Sequence, residues 1–146
     1  MGVGGRGWTR LPLVAADRRS TGFPQESTLA NLLGLDPEVR RRAEALVGGL
    51  RRAGWSATIT SAYRSPAEQL WLWRRRATNP FPVAPPGCST HEYGFAVDLV
   101  TDYDGDFYEL GREFGLEWAG PRDVVHFDVW GTSWRSIVRE ATGHVC

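Results

Sequence analysis

Apolar residues recur at helical spacing from Leu35 onward. In LDPEVRRRAEALVGGLRRAG, the residues Val39, Ala43, Leu46, Val47 and Leu50 fall three or four positions apart, the stripe of a helix with one buried face. Asp36 is placed to cap it, Pro37 suits the first helical position and Gly54 closes the run, so the pattern predicts a helix over Pro37–Ala53. The period then changes from helical to alternating. In WSATITS, Trp55, Ala57 and Ile59 alternate with small polar residues, as a half-buried strand requires. Ser65, Pro66 and Glu68 form a capping box that opens a second helix, expected to run to about Arg76. Tyr63 and Arg64 fall in the short strand-to-helix turn, where side chains project into a cleft.

The loop ATNPFPVAPPGCST, dense in proline and glycine, delivers the chain to His91. FAVDLV, from Phe95 to Val100, predicts a mostly buried strand carrying one carboxylate, Asp98. Asp106 can cap a helix over Phe107–Phe114 that Gly115 ends. VVHFDVW, from Val124 to Trp130, predicts a further strand with His126 and Asp128 on one face. Ser133 can cap a last helix over Trp134–Ala141. This order has too few strands for a doubly wound sheet and predicts an α+β fold. Residues 1–30 carry Gly, Pro and Arg without periodicity, which predicts an N-terminal extension, loosely ordered or wrapped on a single domain over residues 31–146.

A chain of 146 residues with 42% hydrophobic positions, seven Trp, six Phe and four Tyr is long and apolar enough to fold around one core. Its 17 basic residues, all Arg, balance 17 acidic ones, so there is no net positive field to favour nucleic acid as a partner. The runs Arg40–Arg42 and Arg74–Arg76 lie within helical patterns and read as solvated faces. No apolar run reaches the roughly 18 residues of a membrane span, and the N-terminus lacks the h-region of a signal peptide, so a soluble, monomeric protein without a visible export signal is expected. Cys88 and Cys146 could form one disulfide, but a lone pair far apart in sequence is weak evidence for an oxidising compartment, and free thiols are the default expectation.

The segment STHEYGFAVDLV places His91 and Asp98 seven positions apart. On one extended strand these two would lie about 23 Å apart on opposite faces. Gly94 permits a sharp bend between them, so that both can point at one spot. His126 stands on a strand able to pair beside Asp98, with Asp123 three residues earlier. Two histidines and one carboxylate, with a fourth position left to water, is the usual composition of a catalytic zinc site. Asp123 would then serve as general base. His144, in the C-terminal tail, reads as an ordinary surface residue.

SAYRS followed by Gln69, then APPGCSTHEYGFAVD, then GLEWAGPRDVVHF, resembles the zinc D-alanyl-D-alanine carboxypeptidases and endopeptidases of peptidoglycan, peptidase family M15. Its relatives include L-alanyl-D-glutamate endolysins, vancomycin-resistance dipeptidases and, more distantly, the hedgehog signalling domain. The likeness spans Leu35 to Val129. It implies a small central sheet containing antiparallel strands with helices packed on it, and one zinc per chain. The pattern S-x-H-x-x-G-x-A-x-D falls on Ser89, His91, Gly94, Ala96 and Asp98, and [D/E]-x-x-H-F on Asp123, His126 and Phe127. The resemblance therefore implies His91, Asp98 and His126 as zinc ligands, Asp123 as catalytic base, and Arg64 as the arginine that binds substrate and steadies charge on the attacked carbonyl.

Ser89 and Tyr93 either contact the substrate backbone or hold the loop, and Asp128 is placed to accept from a zinc-bound imidazole. Gln69 is expected to pack or bond behind the turn, and Trp71 and Trp73 to be core and rim. Ala62 departs from the glycine common before the Tyr-Arg pair, which removes no catalytic group. The implied activity is hydrolysis of a peptide bond in peptidoglycan stem peptides. The alternatives are a non-catalytic zinc-containing binding or signalling module of the same fold, which could shed Asp123 or Arg64, and a cytoplasmic D-Ala-D-Ala dipeptidase.

Overall fold

The computed structural model describes residues 32–129, 134–143 and 146. In chain order these form α1 (Pro37–Arg52), β1 (Ala57–Ser61), α2 (Pro66–Arg74), 3-10 turns at Arg76–Thr78 and Thr90–Tyr93, β2 (Ala96–Thr101), α3 (Phe107–Glu113), β3 (Glu117–Trp118), β4 (His126–Asp128) and α4 (Trp134–Thr142). The expectations for residues 1–30, Trp130 and His144 lie outside the described residues. No helix among the described residues is long and apolar enough to cross a membrane.

Three of the four predicted caps form, at Asp36, Ser65 and Asp106, and the fourth, at Ser133, lies outside the described residues. The Asp36 carboxylate accepts from the Glu38 and Val39 amides at 3.0 and 3.2 Å, satisfying donors that the first turn of α1 leaves unpaired. Ser65 and Glu68 exchange the two bonds of the capping box at the start of α2. On α1 the apolar stripe is buried as its spacing requires, with Val39, Ala43, Leu46, Val47 and Leu50 among the core residues. The opposite face carries Arg40, Arg41 and Arg42 paired to Glu44 and Glu38. Such exposed pairs contribute little, typically about 0–1 kcal/mol.

The four strands pair in the order β1-β2-β4-β3, every neighbour antiparallel. Period-two alternation divides this small sheet into two chemically distinct faces. Ala57, Ile59, Val97, Leu99 and Phe127 point into the core with the stripe of α1, Leu110 and Leu116. Asp98, His126 and Asp128, at the intervening positions, therefore share the other face. Phe127 is fully buried, and burial of a side chain of that size stabilises by roughly 1.5–3 kcal/mol.

Three expectations change. The helix expected to reach Arg76 ends at Arg74, because Arg75 leaves helical geometry at φ −111° and ψ 18°. The Arg75 and Arg76 side chains then fold back over the rings of Trp71 and Trp73, at 4.0 and 3.7 Å, and donate to those residues' carbonyls. The strand expected over Val124–Trp130 is confined to His126–Asp128, because a turn holds the chain up to His126, whose amide bonds back to the Asp123 carbonyl at 3.0 Å. Cys88 and Cys146, expected as free thiols, form a disulfide across 58 residues, with Cα atoms 5.7 Å apart. Their sequence separation carried no hint that the chain beyond α4 returns to the loop before Ser89.

Candidate metal and catalytic site

A bend delivers His91 to the sheet. The Ser89 hydroxyl accepts from the His91 amide at 3.2 Å, and the Glu92 carboxylate accepts from the Gly87 and Ser89 amides, so a 3-10 turn forms over Thr90–Tyr93. Gly94 ends it in the left-handed conformation at φ 76°. A Cβ at Gly94 would lie 2.8 Å from the Gly34 carbonyl oxygen and 3.0 Å from the Asp36 amide nitrogen, so glycine is required twice over. The Arg64 amide donates to the His91 carbonyl at 3.0 Å and the Asp36 amide to the Gly94 carbonyl at 2.9 Å, which fastens the bend to the α2 turn and to the start of α1. Tyr93 donates its hydroxyl to the Gly87 carbonyl at 2.9 Å. Both Ser89 and Tyr93 thus hold the loop.

Strand register supplies the other two groups, since Asp98 lies opposite His126 in the β2–β4 pair. His91, Asp98 and His126 each offer one ligand atom, and these atoms all lie within 4.8 Å of one another. The outer nitrogen of each imidazole is occupied. His91 Nδ1 is 2.7 Å from the Ala62 carbonyl, which only accepts, so Nδ1 carries the proton and Nε2 presents a lone pair 3.1 Å from Asp98 Oδ1. His126 Nε2 is 3.0 Å from Asp128 Oδ2, which leaves Nδ1 turned to Asp98 Oδ1 at 3.6 Å. Three acceptors thus converge on one point from a face that is mostly buried.

That convergence calls for positive charge. Burial alone would lower the His126 pKa, yet hydrogen bonds to Asp128 and Asp98 overcome it and push it up to about 10. Burial would raise Asp98, but the neighbouring His91, His126 and Arg64 hold it well below the usual carboxylate range. Burial and the Arg64 charge lower His91. Without a metal, a proton on His126 meets part of the demand; a divalent cation would meet it more fully. Two imidazoles and one carboxylate suit zinc better than a hard cation such as magnesium, which prefers an all-oxygen shell.

Arg64 is set behind this cluster. It is only 8% exposed, and its guanidinium donates to Gln69 Oε1 at 2.9 Å, Ser61 Oγ at 3.0 Å and Asp98 Oδ2 at 3.4 Å. Asp98 therefore turns one oxygen to the histidines and the other to Arg64. Gln69, fully buried, spends its amide hydrogen on the Ala84 carbonyl at 2.7 Å. Ser61 reaches the site because the β1–β2 register slips by one residue between Ile59 and Ser61, which moves Ser61 off the core face and opposite Asp98. Neither Ser61 nor the Ala62 carbonyl was singled out from sequence. A one-residue slip has no sequence signature here, and a backbone acceptor has no side chain to read.

Asp123 stands apart from the three convergent groups. It lies in the turn before β4, half-buried, and among the described residues no hydrogen bond to its carboxylate is seen. Burial raises its pKa, from which the His126 and Arg64 charges subtract and to which Asp98 adds, to about 6.

An α+β domain that gathers two imidazoles and a carboxylate against one face of its sheet, with a half-buried carboxylate in the turn before β4, is built as a metallopeptidase. A family profile described as VanY: D-alanyl-D-alanine carboxypeptidase matches residues 33–119, and the chain belongs to that family. The peptidoglycan L-alanyl-D-glutamate endopeptidase CwlK of Bacillus subtilis (strain 168) is 29% identical over 122 residues, covering 65% of this chain and 73% of the relative. Among solved structures, the LD-carboxypeptidase LdcB superposes with a TM-score of 0.54 at 20% identity, over 74% of this chain and 72% of that one. The L,D-carboxypeptidase DacB of Streptococcus pneumoniae gives 0.54 at 18%, over 90% and 82%. The vancomycin-resistance D,D-dipeptidase VanXYg, solved with a D-Ala-D-Ala phosphinate analogue, gives 0.53 at 20%, and the match spans 76% of this chain but 56% of that structure. At these identities the structural likenesses establish the α+β fold.

Proposed function

We propose that the protein is a zinc-dependent peptidase that hydrolyses a peptide bond in peptidoglycan stem peptides, of carboxypeptidase or endopeptidase type. The observation that carries this reading is the convergence of His91 Nε2, Asp98 Oδ1 and His126 Nδ1, each imidazole oriented by a bond at its outer nitrogen so that the inner nitrogen faces the other two groups. These three atoms would hold one zinc, which when bound supplies Lewis acidity to the scissile carbonyl and makes a nearby water acidic.

The chain's own residues do the rest. Asp123, poised by burial near pH 6, takes a proton from the attacking water as its oxygen bonds to the carbonyl carbon. When the C–N bond breaks, Asp123 returns that proton to the leaving amine. Arg64 clamps Asp98 Oδ2 and sets a buried cation behind the site, where its charge offsets that developing on the carbonyl oxygen. Asp128 accepts from His126 Nε2, which orients the ring and raises its basicity as a ligand. Ser89 and Tyr93 keep the His91 turn in place. The Cys88–Cys146 disulfide suits work at the cell wall better than in a reducing cytosol, which favours a wall peptidase over a cytoplasmic dipeptidase.

The test is zinc stoichiometry with circular dichroism. Wild type should bind one zinc per chain, and His91→Ala should lose it while keeping its far-ultraviolet spectrum. A folded His91→Ala variant that retains one tightly bound zinc would refute the ligand set.

A further inference from the structure

We infer that Trp118 is a positioning residue for Asp123: its indole N–H fixes the turn that aims this carboxylate into the site. The inference rests on the reading of Asp123 as proton acceptor. Asp123 lies on an excursion between β3 and β4, closed at its base by the Ala119 amide on the His126 carbonyl at 2.9 Å. Within the excursion, the Asp123 amide bonds the Gly120 carbonyl at 3.1 Å and the His126 amide bonds the Asp123 carbonyl at 3.0 Å. These bonds shape the turn without tying it to the rest of the domain.

Two further bonds anchor it. The Leu99 amide donates to the Val125 carbonyl at 2.8 Å, on the side of β2. Trp118 Nε1 donates to the Val124 carbonyl at 2.8 Å, and that carbonyl directly follows Asp123. The Val124 side chain is 41% exposed, so packing holds this point weakly. With no hydrogen bond to the Asp123 carboxylate among the described residues, the position of that group follows the backbone, and the backbone there follows the indole.

The indole is itself held in place. Its ring stands edge-on to Phe107 at 5.2 Å and to Tyr108 at 4.7 Å, both in the first turn of α3, and Phe107 leans on Phe127, the strand residue between His126 and Asp128, at 6.4 Å. A rigid aromatic link therefore runs from α3 and the core behind the site to the carbonyl beside Asp123. Phenylalanine at 118 would satisfy the ring contacts, but only tryptophan carries a donor to the Val124 carbonyl. Small displacements of a catalytic group lower turnover steeply, while an exposed hydrogen bond contributes modestly to stability. Removing the N–H should therefore reduce turnover more than it weakens the fold.

The experiment is a double-mutant cycle on the zinc-loaded protein with Trp118→Phe and Asp123→Asn, reading kcat, KM and zinc stoichiometry on a muropeptide substrate. Trp118→Phe alone should lower kcat by about 3–30-fold at unchanged KM and zinc content. In the Asp123→Asn background the same change should alter the residual kcat by less than about twofold, because the group being positioned no longer takes a proton. Equal losses in both backgrounds would show a general structural role and overturn the inference, as would an unchanged kcat for Trp118→Phe. If Asp123→Asn alone turns over like wild type, the proton-acceptor reading fails first, a separate outcome that removes the inference with it. Should Trp118→Phe fail to fold, benzothienylalanine at position 118, which exchanges N–H for sulfur at nearly constant shape, gives the same cycle with the same criteria.

Discussion

Gly94→Ala perturbs the bend on which the whole site depends, and its effect can be worked out from two separable costs. A non-glycine residue held at φ 76° costs roughly 1–2 kcal/mol. The new Cβ would also sit 2.8 Å from the Gly34 carbonyl and 3.0 Å from the Asp36 amide, both backbone atoms, so relief requires the loop to move, and overpacking of this kind costs about 1–3 kcal/mol. Together these give about 2–5 kcal/mol, a large share of the roughly 5–15 kcal/mol that holds a domain folded. At roughly 2–4 °C per kcal/mol for a domain of this length, Tm should fall by about 4–20 °C in a thermal unfolding scan. Because the moving segment carries His91, zinc affinity should fall at temperatures where the variant is still folded. Gly143→Ala supplies the control, since Gly143 has φ 73° but nothing within 4 Å of the added Cβ, and it should show only the conformational cost. Equal Tm shifts for the two variants, or full zinc affinity in folded Gly94→Ala, would refute the argument from close approach.

Asp123→Asn should keep one zinc and lose about 10²–10⁴-fold in kcat, measured on a muropeptide substrate; activity within tenfold of wild type would transfer the proton acceptor to another carboxylate. The wild-type rate should rise with pH through a limb at or below about 6, since Asp123 must ionise and a bound cation can only lower its pKa; an acid limb above 7 contradicts that role. Zinc binding at pH 7 should release about one proton, because His126 is held protonated to about 10 and must be neutral as a ligand, which calorimetry in buffers of different ionisation enthalpy reads directly. The same raised pKa means that the metal-free protein has the His126 stabilisation in full below 6.5 and loses it as pH rises through about 10, so its denaturant midpoint should decline over that range. Replacing Cys88 and Cys146 with serine, which opens a loop of 58 residues, should lower stability by about 2–4 kcal/mol in denaturant unfolding.

Much of the candidate site's geometry was legible because its convergent side chains obey short-range rules. Asp98 and His126 lie on period-two strands, so their shared face away from Val97, Leu99 and Phe127 follows from alternation alone, and the bend before them was marked by Gly94. The same is true of α1, where cap, first-turn proline and apolar spacing agree. What escaped the sequence depends on long-range register and on backbone atoms. The slip that brings Ser61 opposite Asp98, the Ala62 carbonyl that fixes the His91 tautomer and the Trp118 bond to Val124 have no local pattern. The disulfide was missed for a related reason, since nothing near Cys88 or Cys146 shows that α4 returns the chain to the His91 loop. Arg64 was placed correctly in its turn, but its buried bonds to Gln69, Ser61 and Asp98 tie it to the Asp98 carboxylate more closely than a role at the substrate alone would suggest.

The most direct test of the central claim is mass spectrometry of purified muropeptides incubated with the zinc-loaded protein, run beside the same protein stripped of metal and beside His91→Ala. The zinc-loaded wild type should convert one stem peptide into products separated at a single amide bond, with the stripped protein and His91→Ala leaving the substrate intact. Intact muropeptides at full zinc occupancy, or equal cleavage by His91→Ala, would contradict the account.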